Sequence, residues 1–110
     1  MAFKLITRNK LRVPVKGSIP DEDGNPVKFD FFLLCTRLNQ TQIDEVLADK
    51  EAPIREFLDD VVIGWEGVQE ESGEPLVFSK SAMDMVMEQP AMRTICFQAY
   101  LKAVGATSKN

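Results

Sequence analysis

The chain has 110 residues, 45% of them hydrophobic, which is enough for one domain with an ordinary core and leaves no core for a second. It contains no histidine, so the usual metal ligand, general base and partner of a Ser or Cys nucleophile are all missing. Its net charge of −4 repels a phosphate backbone unless the charges are segregated, and no apolar run approaches the roughly 18 to 20 residues that a membrane span requires.

The amino-terminal residues Met1 to Arg8 lack the long apolar stretch and cleavage site of a secretory signal, so an intracellular setting is expected. They open a basic head, Lys4, Arg8, Lys10, Arg12 and Lys16, that contains no acid, whereas residues 17–75 carry fifteen acids against Lys28, Arg37, Lys50 and Arg55. Such a head reads either as an electrostatic docking face or as edge-strand cations that discourage sheet-to-sheet aggregation; the second role is the commoner one. Leu11, Val13 and Val15 alternate with Arg12, Pro14 and Lys16, which predicts a strand with one buried face. Pro14 cannot donate a ladder hydrogen bond and so places it at a sheet edge. The turn-rich run Pro20 to Pro26 reads as a hairpin tip. Alternation resumes with Val27, Phe29, Phe31, Leu33 and Cys35 on one face and Lys28, Asp30, Phe32 and Leu34 on the other. The wet face turns apolar at Phe32, which predicts helices covering the second half of the strand on both sides.

Asn39 or Thr41 suits a helix cap, and Thr41 with Asp44 approximates a capping box ahead of Ile43, Val46 and Leu47. Pro53 permits a fresh helical start, after which Ile54, Phe57, Leu58, Val61 and Val62 form one continuous stripe that Gly64 ends. Trp65 to Pro75, with glycines 67 and 73 and little apolar content, reads as a loop. Ser79 is a good N-cap for a helix with Ala82, Met83, Val86 and Met87 on one stripe, and Pro90 begins a last helix with Met92, Ile95, Cys96, Ala99 and Ala103 on one face. Gly105 is a natural stop. The expectation is a single α+β domain over 1–110: an amino-terminal antiparallel β-hairpin region (1–38) packed against about four short helices (39–105), then a polar tail (106–110).

Cys35 and Cys96, the only cysteines, both fall inside apolar periodic patterns and read as reduced core residues. Asp59-Asp60 and Glu70-Glu71 are paired carboxylates, but neighbours on a helix diverge by about 100° and do not converge on one atom, so they read as solvated surface. The acidic turn Asp21 to Asn25 lacks the ligand spacing of a calcium loop, and glycines 64, 67 and 73 match no phosphate-cradling motif. No catalytic residue, metal or cofactor is expected, and protein binding is the class that remains. Met83, Met85, Met87 and Met92 crowd into about ten residues, as on adaptable binding surfaces or in ordinary cores. Met83 and Met87 lie on the inner stripe; Met85 points away from it and is the better exposed contact. Trp65 reads as the cap of a core edge or the anchor for a partner.

Three motifs then occur in a familiar order: Ile63-Gly64-Trp65-Glu66-Gly67-Val68, Gly73-Glu74-Pro75-Leu76-Val77-Phe78-Ser79, and Gln89-Pro90. Over about the last two fifths of its length the chain resembles the tail assembly chaperones of long-tailed bacteriophages. In that family a tryptophan-glycine turn leads through an acidic glycine-containing loop to a Phe-Ser helix start and a final helix ending near Gly and Asn. The matching positions are Trp65, Gly67, Gly73, Pro75, Phe78, Ser79, Gly105 and Asn110. The resemblance implies a protein that binds the tape-measure protein, keeps it soluble, helps recruit tail-tube subunits, acts in the host bacterial cytoplasm and is absent from the mature virion. In many of these phages a longer form arises by ribosomal frameshifting. Partner contacts are expected at Trp65, Phe78, Met83, Met85 and Met87, and self-association into a ring or dimer is compatible with a long client. The alternatives are a structural tail completion or connector protein retained in the virion and, less favoured, a nucleic-acid-binding regulator using the basic head.

Overall fold

Period-two alternation builds the first two strands. In the computed structural model, which describes residues 2–3, 9–49 and 53–105, β1 (Lys10–Pro20) buries Val13 and Val15 and exposes Arg12, Pro14 and Lys16. It pairs antiparallel with β2 (Pro26–Thr36), Val13 opposite Leu33 and Val15 opposite Phe31. At the tip the Asp21 carboxylate accepts from the N–H groups of Asp23 and Asn25, both at 2.9 Å, and Gly24 adopts φ +82°. Of the basic head, Lys4 and Arg8 lie outside the described residues; Lys10, Arg12 and Lys16 project from this strand.

The sheet gains a strand where a loop is expected. β3 (Val62–Glu66) pairs antiparallel with β2 and gives the order β1-β2-β3, so β1 is an edge strand, as Pro14 demands. The helical region 39–105 therefore contains a strand, and Trp65 stands on a sheet rather than at a helix end. The helical stripe stops one residue early, at Val61, because the Val62 N–H still bonds to Leu58 while Val62 itself turns extended.

Three of the helices share one core with the sheet. α1 (Gln40–Ala48) starts at Asn39, whose side chain accepts from Gln42 N–H while the Gln42 side chain accepts from Asn39 N–H, both near 2.8 Å; the box is Asn39/Gln42, not Thr41/Asp44. Asp44 instead accepts from the Gln40 side chain, one turn back. α2 (Ile54–Val61), α3 (Lys80–Met87) and α4 (Met92–Ala103) bury Leu58, Val61, Ala82, Met83, Met87, Met92, Cys96 and Tyr100 in one cluster with Val13, Val15, Phe31, Leu33, Cys35, Val62 and Trp65. This is the two-layer α+β arrangement, each layer covering the other's apolar side. Ser79 caps α3 as predicted, its hydroxyl accepting from Ala82 N–H at 3.0 Å. α4 begins at Met92 rather than Pro90, after a left-handed turn at Ala91 (φ 66°), and Arg93 reaches back to the Met87 carbonyl at 3.1 Å. Tyr100 and Leu101 join its buried face, widening the predicted stripe.

Among the described residues the cover over Phe32 is a side chain of the neighbouring strand, where helices are expected. The Arg12 guanidinium lies 3.7 Å above the Phe32 ring centroid and continues across β2 to Glu66 on β3, at 2.7 Å. One side chain thus shields the ring and ties both edge strands together.

Candidate functional site

The segment leaving β3 is fastened strand by strand. Gly67 takes φ +88°, a backbone conformation that would strain any side chain, and the chain then doubles back through a small hairpin. Glu70 N–H bonds to Glu74 at 2.7 Å, Gly73 N–H to Glu70 at 2.8 Å and Leu76 N–H to Val68 at 2.9 Å, while Gln69 bridges Pro75. The stretch that reads as an irregular loop is therefore a tethered turn carrying Glu70, Glu71 and Glu74.

Trp65 anchors its return. The indole N–H donates to the Leu76 carbonyl at 2.8 Å, and its ring meets Phe78 edge-on with centroids 4.9 Å apart. With Leu76 and Phe78 half-buried on the core side, extended backbone turns the intervening Val77 outward, where it is 80% exposed. On α3 the same logic at helical period buries Met83 and Met87 and leaves Met85 57% exposed. Between turn and helix lies an open groove of about 500 Å³ floored by Val68, Leu76, Met85 and Val86 and rimmed by Gln69, Glu70, Glu71 and Gln89.

Of the five residues expected to contact a partner, Trp65, Met83 and Met87 belong to the core and expose almost nothing. Phe78 is half-buried against Trp65 and Met85 is on the surface. Val77, the most exposed apolar residue of this region, goes unnoticed in the sequence; the signal was its place between Leu76 and Phe78 in a segment that must be extended to reach Ser79. Neither Asp pair nor Glu pair converges on a point. Asp59 instead pairs with Arg55 at 2.9 Å, and Arg55 also binds Asp84, fastening α2 to α3; these carboxylates, Asp84 first, raise the guanidinium's affinity for its proton.

A second groove of about 760 Å³ lies between β1 and α4, lined by Pro14, Ile95, Ala99 and Ala103 with Lys16 and Lys102 at its margin. Among the described residues no group of three or more His, Cys, Asp or Glu side chains is arranged to hold a metal ion, and no helix is long and apolar enough to cross a membrane. Cys35 and Cys96 are free, buried thiols; burial pushes both up to about 12, with the charge of Cys96 adding to the shift at Cys35. Burial also raises the Tyr100 phenol, against the opposing pull of the Leu38 N–H.

No protein-family model, curated protein or solved structure matches this chain.

Proposed function

We propose that this protein is a tail assembly chaperone of a long-tailed phage: a non-catalytic binder that holds the tape-measure protein in solution in the host cytoplasm, helps recruit tail-tube subunits and is left out of the virion. The observation that carries the reading is the exposed apolar surface of Val77 and Met85, which falls inside the segment whose motifs resemble that family. A protein that keeps a long, partly apolar helical client soluble needs adaptable apolar surface on a rigid support. Methionine supplies the adaptability, having three rotatable bonds and a polarizable sulfur. The Trp65–Leu76 hydrogen bond, the Ser79 cap and the Arg55 bridge supply the support. The net charge of −4 favours solubility of the unloaded protein.

The test is co-expression with the long helix-rich product expected next to it in the same genome, followed by size-exclusion chromatography of the soluble fraction. The reading requires the long protein to become soluble only with this partner and to co-elute with it. Unchanged solubility and separate elution reject it.

A further inference from the structure

We infer that the groove between the 68–76 turn and α3 receives an amphipathic helix whose apolar stripe is flanked by lysines or arginines. The floor is apolar, Val68, Leu76, Met85 and Val86, and the charged side chains that line it are both carboxylates, Glu70 and Glu71. Glu74 stands in the same turn. None of these three forms an ion pair among the described residues, whereas the nearby basic groups are engaged: Arg55 with Asp59 and Asp84, Arg93 with Glu88. Lys80 lines a different hollow, with Asp59, Val62, Phe78 and Met83. The rim is thus a one-sign field beside an apolar trough, complementary to a cationic amphipathic helix and repulsive to an acidic one.

The turn's internal hydrogen bonds hold the backbone that carries the two glutamates before a client arrives, so binding has little backbone ordering left to cost. Opposite charge on the groove beside β1 and α4, with Lys16 and Lys102, makes this discrimination specific to one face. The inference rests on the proposal that the chain binds a helical client, and it adds which face binds and what charge the client helix carries there.

The experiment uses the full chain and two fluorescein-labelled synthetic helices with identical leucine stripes, one flanked by lysine and the other by glutamate, titrated by fluorescence anisotropy. The lysine-flanked helix should bind more tightly by roughly 2- to 25-fold, two exposed charge contacts each giving about 1.4- to 5-fold. In E70K/E71K, whose altered residues are exposed and bear no side-chain contacts of the core, the preference should reverse. On the unaltered chain, raising salt from about 50 mM to about 500 mM should weaken the lysine-flanked helix and strengthen the other, a readout independent of how the variant folds. Equal affinity for the two helices, a preference retained by a folded E70K/E71K chain, or no binding of either overturns the inference. If the long client still co-elutes with the chain in that case, the chaperone reading stands on another face; if the lysine-flanked helix binds while the long client does not, this groove assignment survives and the chaperone reading falls.

Discussion

Tyr100→Phe isolates the polar fastening of the core from its packing. The ring is fully buried and lies edge-on to Phe57 with centroids 5.3 Å apart, contacts that phenylalanine keeps. The hydroxyl donates to the Thr36 carbonyl at 2.8 Å and accepts from Leu38 N–H at 3.1 Å, so α4 pins the chain just where it leaves β2 for α1. Removing the oxygen deletes both bonds and strands a donor and an acceptor. Each net bond is worth about 0.5–1.5 kcal/mol and each stranded buried group more, but Thr36 and Leu38 are only half-buried and water reaches part of the deficit, so the loss should be about 2 kcal/mol. For a domain of this size that lowers the thermal midpoint by roughly 10 °C. In urea the midpoint should fall with an unchanged slope, because the surface exposed on unfolding is the same. Amide exchange at Leu38 should quicken beyond the global change. A loss under about 0.5 kcal/mol with Leu38 exchange unaltered would refute the reasoning, since the two hydrogen bonds would then contribute nothing that water does not replace.

Three further perturbations separate other parts of the structure. The folded-state pKa of Cys35 and Cys96 is about 12 against an ordinary 9.0, so the folded protein holds these protons more tightly; the associated stability is intact below pH 9 and disappears as pH rises from there towards 12. Denaturation midpoints measured across that window should fall, and fall less steeply in C35A/C96A, while a thiol reagent at pH 8 should label neither cysteine until the protein is unfolded. Arg12→Ala removes the Glu66 ion pair and uncovers Phe32, but both charged groups are more than half exposed, so solvent screening limits the cost to at most about 1 kcal/mol, shrinking further in high salt. Trp65→Phe loses the hydrogen bond to Leu76 and part of the indole volume; chemical denaturation should show about 2–4 kcal/mol of destabilisation.

The hairpin was legible because Val13, Val15, Phe31, Leu33 and Cys35 keep strict period two and Pro14 marks an edge. Pro53, Ser79 and Gly105 likewise act where their local chemistry says they should. β3 escaped because two patterns overlap: Val61 and Val62 continue the helical stripe of α2, and the register shift opposite Leu34 and Cys35 inserts Ile63 as an extra residue. The bulge leaves Ile63 51% exposed, and Gly64 and Trp65 after it are both buried, so alternation fails over the very residues that pair. The covering of Phe32 was misassigned for a different reason. An arginine reads as polar in a pattern, yet its long planar side chain covers an aromatic face as well as a small apolar residue does. At the candidate site, Met85 was legible from helical phase alone, whereas the tethered turn depends on Trp65 reaching Leu76, a contact between segments that no local pattern encodes.

Met85 is itself the reporter for the central claim that this face binds the client. It is exposed while Met83, Met87 and Met92 are buried, so brief peroxide treatment followed by peptide mass spectrometry should oxidise Met85 well before the other three in the free protein. In the complex with the long helical client we expect Met85 oxidation to slow several-fold while the lysines beside the β1–α4 groove remain open to modification. Unchanged Met85 oxidation in a verified complex, with protection appearing instead at Lys16 and Lys102, would contradict it.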